Sequence, residues 1–323
     1  MQINVVQYNI LSSGLVSPEI FIKSNPRDLD SQARFNKIID ELKQFIIGHY
    51  IICLQEVSQS WAGPLYDFFN NAGYTLIINA YGNVYSDYMG LAIAYPTNMF
   101  YSERTQILHV GSYIPTPSKI KDGVKDEWTY SNKRPNTALF TTLISKATKI
   151  RFVLVNYHMP AAHWWPTVLT IHLLTITKLA QSYARDLPLI MAGDYNLTPE
   201  SYQYGIITSG MLDTYHPEYP DVDALGDKVW DTNIHPMKSA YVSVFGEEPI
   251  VTSQTWTSLS NTFTSITIDY VFYSGTNITP IGAYIPSITP TDILPNQIHA
   301  SDHLPLIIKF ELSPYQYRAI NIH

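Results

Sequence analysis

Short apolar runs alternate along the chain with longer amphipathic segments. The runs predict strands, bounded by turn residues, at 3–8, 50–54, 74–79, 91–95, 138–145, 150–156, 187–191, 268–273 and 304–310. Apolar residues recur at helical spacing over 31–48, and similar patterns predict helices near 60–71 and 167–185. His172 lies in the last of these, as a helix-surface or a core histidine. Strands that alternate with helices along the whole chain predict an α/β fold.

Two long segments lack a regular pattern. Residues 112–136 contain prolines and a charged stretch, and residues 200–265 are rich in loops with one short helix. A long loop inside a compact domain is more often functional than idle. Because the sequence contains neither repeats nor an evident interdomain linker, we predict one α/β domain over residues 1–323.

The composition permits a large core and argues against one class of protein. Hydrophobic residues make up 46% of the 323 residues and charged residues 15%, so disorder is not expected. The formal net charge of -7 argues against a basic protein that coats nucleic acid non-specifically. It does not exclude an enzyme that acts on phosphate esters, because bound cations can neutralise substrate charge locally.

The sequence also bears on the compartment. Cys53 is the single cysteine, so no intrachain disulfide can form, and its apolar surroundings predict a small buried hydrophobe. The first residues lack the pattern of a signal peptide. No run reaches the roughly 18 apolar residues that span a bilayer. We therefore expect an intracellular, cytoplasmic protein with no membrane partner.

Polar residues that can do chemistry follow the predicted strands. The side chains at or just beyond a carboxyl end are Asn9, Glu56, His158, Asp194 and Asn196. That edge of an α/β sheet is where sites are assembled. Taken singly, each has an ordinary alternative: residues 193–196 suit a turn, and a lone carboxylate suits the surface. The combination is much less expected by chance.

Two further acidic positions complete a set of oxygen ligands. Asp269 lies near the start of one strand, and Asp302 with His303 immediately precedes the last. Carboxylates and carboxamides of this kind suit Mg²⁺ or Mn²⁺, the set being Asn9, Glu56, Asp194, Asn196 and Asp302. The sequence has no cysteine cluster and no His-Glu-Xaa-Xaa-His pattern, which argues against a zinc hydrolase.

Phosphodiester hydrolysis explains this inventory. A metal ion stabilises developing negative charge, a base activates water, and imidazoles or carboxamides hold the phosphoryl oxygens. Asp269 would hold His303 in one tautomer. His303 would then orient the phosphate or stabilise its transition state, while Asp194 and Asn196 would orient and activate water.

Seven ordered motifs resemble the endonuclease/exonuclease/phosphatase superfamily over nearly the whole chain. They are Tyr8-Asn9-Ile10-Leu11, Leu54-Gln55-Glu56-Val57, Gly90-Leu91-Ala92-Ile93, Asn156-Tyr157-His158, Gly193-Asp194-Tyr195-Asn196, Ile268-Asp269-Tyr270 and Ser301-Asp302-His303-Leu304-Pro305. The resemblance implies a single catalytic domain with a two-sheet, four-layer α/β sandwich of the DNase I-like type. Helices would lie on the outer faces, with a Mg²⁺-dependent site at one end.

Within the superfamily, the chain most resembles the carbon-catabolite-repressor-type deadenylases, nocturnin, angel and the 2′,5′-phosphodiesterases. The segments that carry this likeness include the helix through Arg34, Thr255-Trp256-Thr257 and Ile268 to Ser274. Abasic-site endonucleases usually carry an acidic residue where this chain has Leu11, which counts against that branch. The resemblance therefore implies a 3′→5′ exoribonuclease that prefers poly(A).

The resemblance also implies residue roles. Glu56 would be the principal Mg²⁺ ligand, surrounded by Asn9, Asp194, Asn196, Asp302 and His303. His158 would contact the scissile phosphate, and Asp269 would orient His303. Phe263 would stack on adenine, or else anchor its loop. Lys133 and Arg134 would bind phosphate, or else form a solvated charge pair.

Two alternative functions remain open at the sequence level. One keeps the chemistry but takes a small nucleotide, as nocturnin-like phosphatases or enzymes of 2′,5′-oligoadenylate do. The other is a non-catalytic nucleic-acid-binding protein with the same fold. The complete set of metal and phosphate residues argues against the second.

Overall fold

Two six-stranded sheets pack face to face in the computed structural model, which describes residues 1–118 and 126–314. The first sheet has the strand order β13-β14-β1-β2-β4-β3 and the second β5-β6-β7-β8-β12-β9. A separate hairpin is formed by β10 and β11.

The strands of the first sheet are β1 Gln2–Asn9, β2 Ile51–Val57, β3 Tyr74–Ala80, β4 Gly90–Pro96, β13 Ile278–Tyr284 and β14 Leu306–Leu312. Those of the second are β5 Phe100–His109, β6 Thr137–Ser145, β7 Arg151–His158, β8 Leu189–Asp194, β9 Lys238–Ser239 and β12 Asp269–Ser274. The hairpin strands are β10 Ser253–Thr257 and β11 Thr262–Ile266. The helices are α1 Ser31–Ile47, α2 Gln59–Asn71, α3 Glu127–Asn132, α4 Pro166–Ala184, α5 Tyr202–Ser209 and α6 Ala240–Phe245.

Alternation along the strands separates the inner and outer faces of each sheet. In β2, Ile51 and Cys53 point into the core between the sheets, whereas Ile52 and Leu54 face α1 and α2. In β7, Leu154 faces the other sheet and Val155 faces α4. The layers therefore run helix, sheet, sheet, helix, and the predicted two-sheet sandwich with outer helices is confirmed. The predicted burial of Cys53 is confirmed as well.

The sequence patterns missed several polar elements. The edge strands β5 and β13 were not predicted, because one face of each is largely exposed. The loop-rich prediction for 200–265 was incomplete: this segment also contains α6 and the β10–β11 hairpin. Part of the predicted loop 112–136 lies outside the described residues, and the remainder contains α3. Among the described helices, none is long and apolar enough to cross a membrane.

Gly193 allows two parallel strands to approach closely. It lies opposite Tyr157 in the β7–β8 ladder, and a Cβ atom at this position would lie 1.9 Å from the Tyr157 carbonyl oxygen. Any side chain would force the strands apart. The backbones of β7 and β8 therefore approach closely at Gly193, one residue before Asp194.

His172 is a core residue of α4. The Tyr157 hydroxyl lies 2.8 Å from its Nδ1, and its Nε2 lies 3.1 Å from the Ser131 carbonyl oxygen. The carbonyl can only accept, so Nε2 carries the hydrogen and Nδ1 accepts from the hydroxyl. Burial lowers the pKa of His172 from its ordinary 6.5 to about 3. The imidazole is therefore neutral in the folded protein.

This burial predicts a pH-dependent stability. Between pH 6.5 and about 3 the unfolded chain binds a proton at His172 that the folded chain does not. The free energy of unfolding should therefore fall as the pH is lowered through this window. His172→Gln keeps an acceptor and a donor without the titration, so urea unfolding at several pH values should show a shallower fall for the variant. Equal slopes for the two proteins would contradict the assignment.

Candidate active site

Strand direction brings the predicted residues to one end of the sandwich. Strands β1 and β2 are parallel, as are β7 and β8, so Asn9, His158 and Asp194 lie at carboxyl ends. Strand β12 runs antiparallel to β8, and its first residue, Asp269, pairs with Asp194. A residue at the start of a strand therefore joins residues at the ends of others.

Glu56 reaches this site through a local break in the strand. Alternation would turn its side chain outward, on the same face as Ile52 and Leu54. The β2–β4 register shifts between Leu54 and Val57, and Glu56 has a φ of 57°. A bulge of this kind re-aims a side chain. The Glu56 carboxylate consequently faces Asn9 rather than the helices.

One carboxamide joins the two central carboxylates. The Nδ2 group of Asn9 donates to Oε1 of Glu56 and to Oδ2 of Asp194, both at 3.0 Å. The other oxygens accept from backbone amides, Oε2 of Glu56 from Ser12 and Oδ1 of Asp194 from Asn196, each at 3.0 Å. Asn196 has a φ of 51° and donates its own Nδ2 to the Met159 carbonyl. The carboxylates are thus fixed in place.

Two histidines face these carboxylates. Their Nε2 atoms lie 3.6 Å (His158) and 3.7 Å (His303) from Oδ2 of Asp194. Nδ1 of His303 lies 2.8 Å from Oδ2 of Asp269. Burial alone would lower the pKa of His303, but the charge of Asp269 and this hydrogen bond raise it well above 6.5. The predicted pairing of Asp269 with His303 is present in the structure.

The acidic cluster has the properties of a cation site. Burial, with the charge of Asp269 in addition, raises the pKa of Asp194 to about 6. Burial also raises the pKa of Asp302, although His303 opposes this. Its Oδ1 is buried and has no hydrogen-bond partner among the described residues. Ligand atoms of Glu56, His158 and Asp194 lie within 4.8 Å of one another, as do those of Asp194, Asp269 and His303. This donor set fits a hard divalent cation.

Arg34 ties together the segments that carry the site. Its guanidinium is buried and donates to the carbonyls of Ile10 at 2.9 Å, of Ala300 at 2.6 Å and of Leu11. Burial lowers its pKa to about 10. One side chain thereby connects the chain after Asn9 to the chain before Asp302.

Phe263 lies on the β10–β11 hairpin, outside the hydrogen-bonded centre of the site. It pairs with Trp256 across the β10–β11 hairpin and is partly exposed. The hairpin is joined to the site because the backbone amide of Gln254 donates to the backbone carbonyl of Asp302 at 2.9 Å. The hairpin that carries Phe263 is therefore attached to the segment that carries Asp302 and His303.

Lys133 and Arg134 follow α3. Lys133 is exposed, whereas Arg134 is partly buried. The guanidinium carbon of Arg134 lies 5.5 Å from the centroid of the Tyr130 ring. Nη1 of Arg134 donates to the Tyr130 hydroxyl at 3.3 Å, and its Nε has no hydrogen-bond partner among the described residues. Neither residue contacts the central carboxylates in the described hydrogen bonds and ion pairs.

Sequence reasoning overlooked the residues that support the site. Gln7, Gln55 and Asn156 are polar residues at inward positions of otherwise apolar strands, and that exception to the pattern was the available signal. Thr252 donates to Asp269 at 2.7 Å and has no comparable signal. Tyr81 follows β3, so the strand-end argument would have found it.

Proteins of known activity resemble this chain over most of its length. The CCR4-Not complex 3′-5′-exoribonuclease subunit Ccr4 of Aspergillus clavatus is 25% identical over 374 residues, covering 96% of this chain and 53% of that protein. The chain thus spans about half the length of the curated relatives that it matches first.

Two solved structures share the fold. ANGEL2, a 2′,3′-cyclic phosphatase, has a TM-score of 0.70 at 22% sequence identity, and the match covers 97% of this chain and 96% of the ANGEL2 chain. The human Nocturnin catalytic domain has a TM-score of 0.65 at 19% sequence identity, and the match covers 97% of this chain and 95% of that domain. Both place the two sheets and outer helices described above in a known architecture.

The family follows from the sequence itself. The profile described as the Endonuclease/Exonuclease/phosphatase family matches residues 6–303, which include the first and last residues of the site. This confirms the resemblance predicted from the seven motifs. The chain belongs to the Endonuclease/Exonuclease/phosphatase family, whose enzymes hydrolyse phosphoester bonds.

Proposed function

We propose that this protein is a Mg²⁺-dependent phosphodiesterase of RNA, a 3′→5′ exoribonuclease that prefers poly(A). The observation that carries the proposal is the pair of buried carboxylates, Glu56 and Asp194, that share one amide of Asn9 and face two histidines. The similarity to Ccr4, named as a 3′-5′-exoribonuclease, supports the substrate class. The proposal treats residues 1–323 as one catalytic domain of an intracellular, cytoplasmic enzyme.

The proposed metal residues are Glu56, Asn9 and Asp302, with Asp194 and Asn196 beside them. A bound Mg²⁺ would polarise the phosphate and offset charge that develops on its oxygens. Three features support this choice of ion: oxygen donors, a raised pKa at two of the carboxyls, and the unpartnered Oδ1 of Asp302. Mn²⁺ takes similar ligands.

The remaining side chains of the site have separate roles in the proposed reaction. We assign His158 and His303 to the phosphoryl oxygens, since both Nε2 atoms lie near Oδ2 of Asp194. Asp269 holds His303 through Nδ1. Asp194 orients the attacking water and accepts its proton, and Asn196 holds both the Asp194 carboxylate and, through its carboxamide, the water and phosphate. These fixed donors need little reorganisation during the reaction.

We assign the substrate contacts to three residues outside this centre. Phe263 would stack on adenine, which is supported by its partly exposed ring and by the attachment of its hairpin to Asp302. Lys133 and Arg134 would bind a phosphate, and the positive charge of this adjacent pair supports an anion at this point. The alternative substrate is a small nucleotide or 2′,5′-oligoadenylate. ANGEL2, named as a 2′,3′-cyclic phosphatase, adds a cyclic phosphate end to the substrates worth testing.

Glu56→Gln should abolish most activity without unfolding the protein. The change keeps the shape of the side chain but removes the charge that would hold Mg²⁺, so kcat/KM on oligo(A) should fall by about a hundredfold or more. EDTA should stop the wild-type reaction, and Mg²⁺ should restore it. Glu103→Gln, at an exposed carboxylate paired with Arg151, is the matched control. Wild-type rates in Glu56→Gln would refute the proposed site.

A substrate panel should identify the reaction. Oligo(A), oligo(C), single-stranded DNA, 2′,5′-oligoadenylate and RNA ending in a 2′,3′-cyclic phosphate are each incubated with the protein and Mg²⁺. We expect successive release of AMP from the 3′ end of oligo(A), faster than release from oligo(C). Cleavage of DNA with RNA left intact would sink the ribonuclease assignment. Turnover of the cyclic or 2′,5′ compound alone would favour the small-nucleotide alternative, and no turnover at all would favour a binding protein.

Phe263→Ala should reduce the preference for adenine. Stacking of one base on an aromatic ring contributes about 1–3 kcal/mol, so KM for oligo(A) should rise by about tenfold or more while oligo(C) changes less. Phe245→Ala removes an exposed phenylalanine from α6 and is the matched control. An unchanged ratio of oligo(A) to oligo(C) hydrolysis would leave Phe263 with a purely structural role.

A further inference from the structure

The two histidines of the site have different partners at Nδ1. His303 is paired with the carboxylate of Asp269, whereas Nδ1 of His158 lies 2.8 Å from the hydroxyl of Tyr81. The rings of Tyr81 and His158 meet edge to face, with centroids 6.4 Å apart. Nothing in the reaction assigned above uses Tyr81, although it touches a residue that contacts both central carboxylates.

The surroundings of His158 determine its tautomer. Its Nε2 lies 3.6 Å from Oδ2 of Asp194 and 3.9 Å from Oε1 of Glu56. Ionised carboxylates only accept hydrogen bonds, so they favour the tautomer with the hydrogen on Nε2. Nδ1 then carries a lone pair that accepts the hydrogen of the Tyr81 hydroxyl.

Tyr81 is suited to this donor role. Burial, reinforced by the negative charge of Glu56, raises its pKa well above the ordinary 10.0, so the phenol keeps its hydrogen. A phenol also differs from the carboxylate beside His303, because it adds no negative charge that would favour an imidazolium. The site therefore pairs one histidine with an anion and the other with a neutral donor.

The backbone holds Tyr81 at the catalytic edge. Strands β2 and β3 both run antiparallel to β4, so the end of β3 lies at the same edge as the end of β2. The amides of Tyr81 and Gly82 both donate to the Met89 carbonyl, at 3.0 and 2.9 Å. The same loop is bound to the segment after Asn9 because Ser12 Oγ donates to the Ser86 carbonyl at 2.7 Å. These hydrogen bonds thus hold Tyr81 in a fixed position relative to the site.

We propose that Tyr81 is a positioning residue for His158. Its hydroxyl donates to Nδ1, fixes the tautomer with the hydrogen on Nε2, and aims that hydrogen at the space beside Asp194 and Glu56. There it donates to a phosphoryl oxygen of the substrate. The catalytic part of this inference rests on the proposed phosphodiesterase function, whereas the tautomer does not.

The first test measures the tautomer directly. Long-range ¹H–¹⁵N spectra at neutral pH, with His158→Ala used to assign the signals, should show an unprotonated Nδ1 and a protonated Nε2 in His158 of the wild-type protein. Tyr81→Phe keeps the ring and removes the hydroxyl, so the His158 signals should move toward a mixture of tautomers. A protonated Nδ1 in the wild type, or an unchanged spectrum in Tyr81→Phe, would overturn the proposal. Neither result depends on the substrate, or on the variant remaining active.

The second test is kinetic. Tyr81→Phe should lower kcat on the turned-over substrate by about tenfold to a hundredfold with little change in KM, as is usual for a lost orienting partner. In a His158→Ala background the same change should have no further effect. An additional loss in that background would show that Tyr81 acts independently of His158 and would refute the proposal.

A matched control is available one residue away from His158. Tyr157→Phe also removes a tyrosine–histidine hydrogen bond, but its partner is the core residue His172. This variant should lose stability while its kcat and the His158 signals stay as in the wild type. An equal loss of kcat in Tyr157→Phe and Tyr81→Phe would indicate a general packing effect and contradict the positioning role.

Discussion

A buried layer of amide side chains joins the two sheets and supports everything at the catalytic end. Nε2 of Gln55 donates to Asn156 at 2.7 Å, and Nε2 of Gln7 donates to Gln55 and to Asp269, both at 2.8 Å. Asn156 in turn donates to the carbonyls of Leu54 and Ala92, each at 2.9 Å. Buried polar groups of this kind must be paired, since an unpaired one costs about 1–3 kcal/mol. Oε1 of Gln7 is the exception in this layer, since it is buried without a hydrogen-bond partner among the described residues. The bonds from Gln7 to Asp269 and from Gln55 to Asn156 cross between the sheets and therefore favour one register of one sheet on the other.

This layer separates an apolar core from a charged site. The inward positions of β1 change along the strand from Ile3 and Val5 to Gln7 and finally Asn9. Each step toward the edge is more polar than the last. Oδ1 of Asp269 accepts a hydrogen bond from Gln7 in the amide layer, and Oδ2 of Asp269 is paired with Nδ1 of His303. Sheet packing is in this way transmitted to the orientation of a histidine that faces the central carboxylates.

Much of the site could be predicted because strand direction is simple. Asn9, His158 and Asp194 end strands whose apolar runs are clear, so their convergence follows from the fold class. Glu56 was expected at the site, but its position depends on a left-handed residue and a bulge that alternation does not reveal. Such a conformation costs on the order of 1–3 kcal/mol in a non-glycine residue.

The positions of the residues assigned to substrate binding could not be predicted from the sequence, for a different physical reason. The β10–β11 hairpin is polar on much of its surface, so its strands give no apolar signal, and Phe263 had no secondary structure to define its direction. The pairing of Phe263 with Trp256 depends on formation of the hairpin, and the attachment of that hairpin to Asp302 joins residues that are far apart in the sequence. The roles of Phe263, Lys133 and Arg134 therefore stay predictions.

Electrostatic balance explains how a protein of net charge -7 could bind the phosphate esters proposed as its substrates. Three of the central carboxyls, those of Glu56, Asp194 and Asp269, are buried, and burial together with repulsion from Asp269 raises the pKa of Asp194. The neighbouring histidines and Asn9 offset this effect only in part. The described hydrogen bonds of Arg34 go to backbone carbonyls, and none of them pairs its guanidinium with a carboxylate of the site. A divalent cation would relieve that repulsion and would also attract the anionic substrate. The same concentration of buried negative charge that disfavours ionisation of Asp194 would then favour binding of the cation and, through it, of the phosphate.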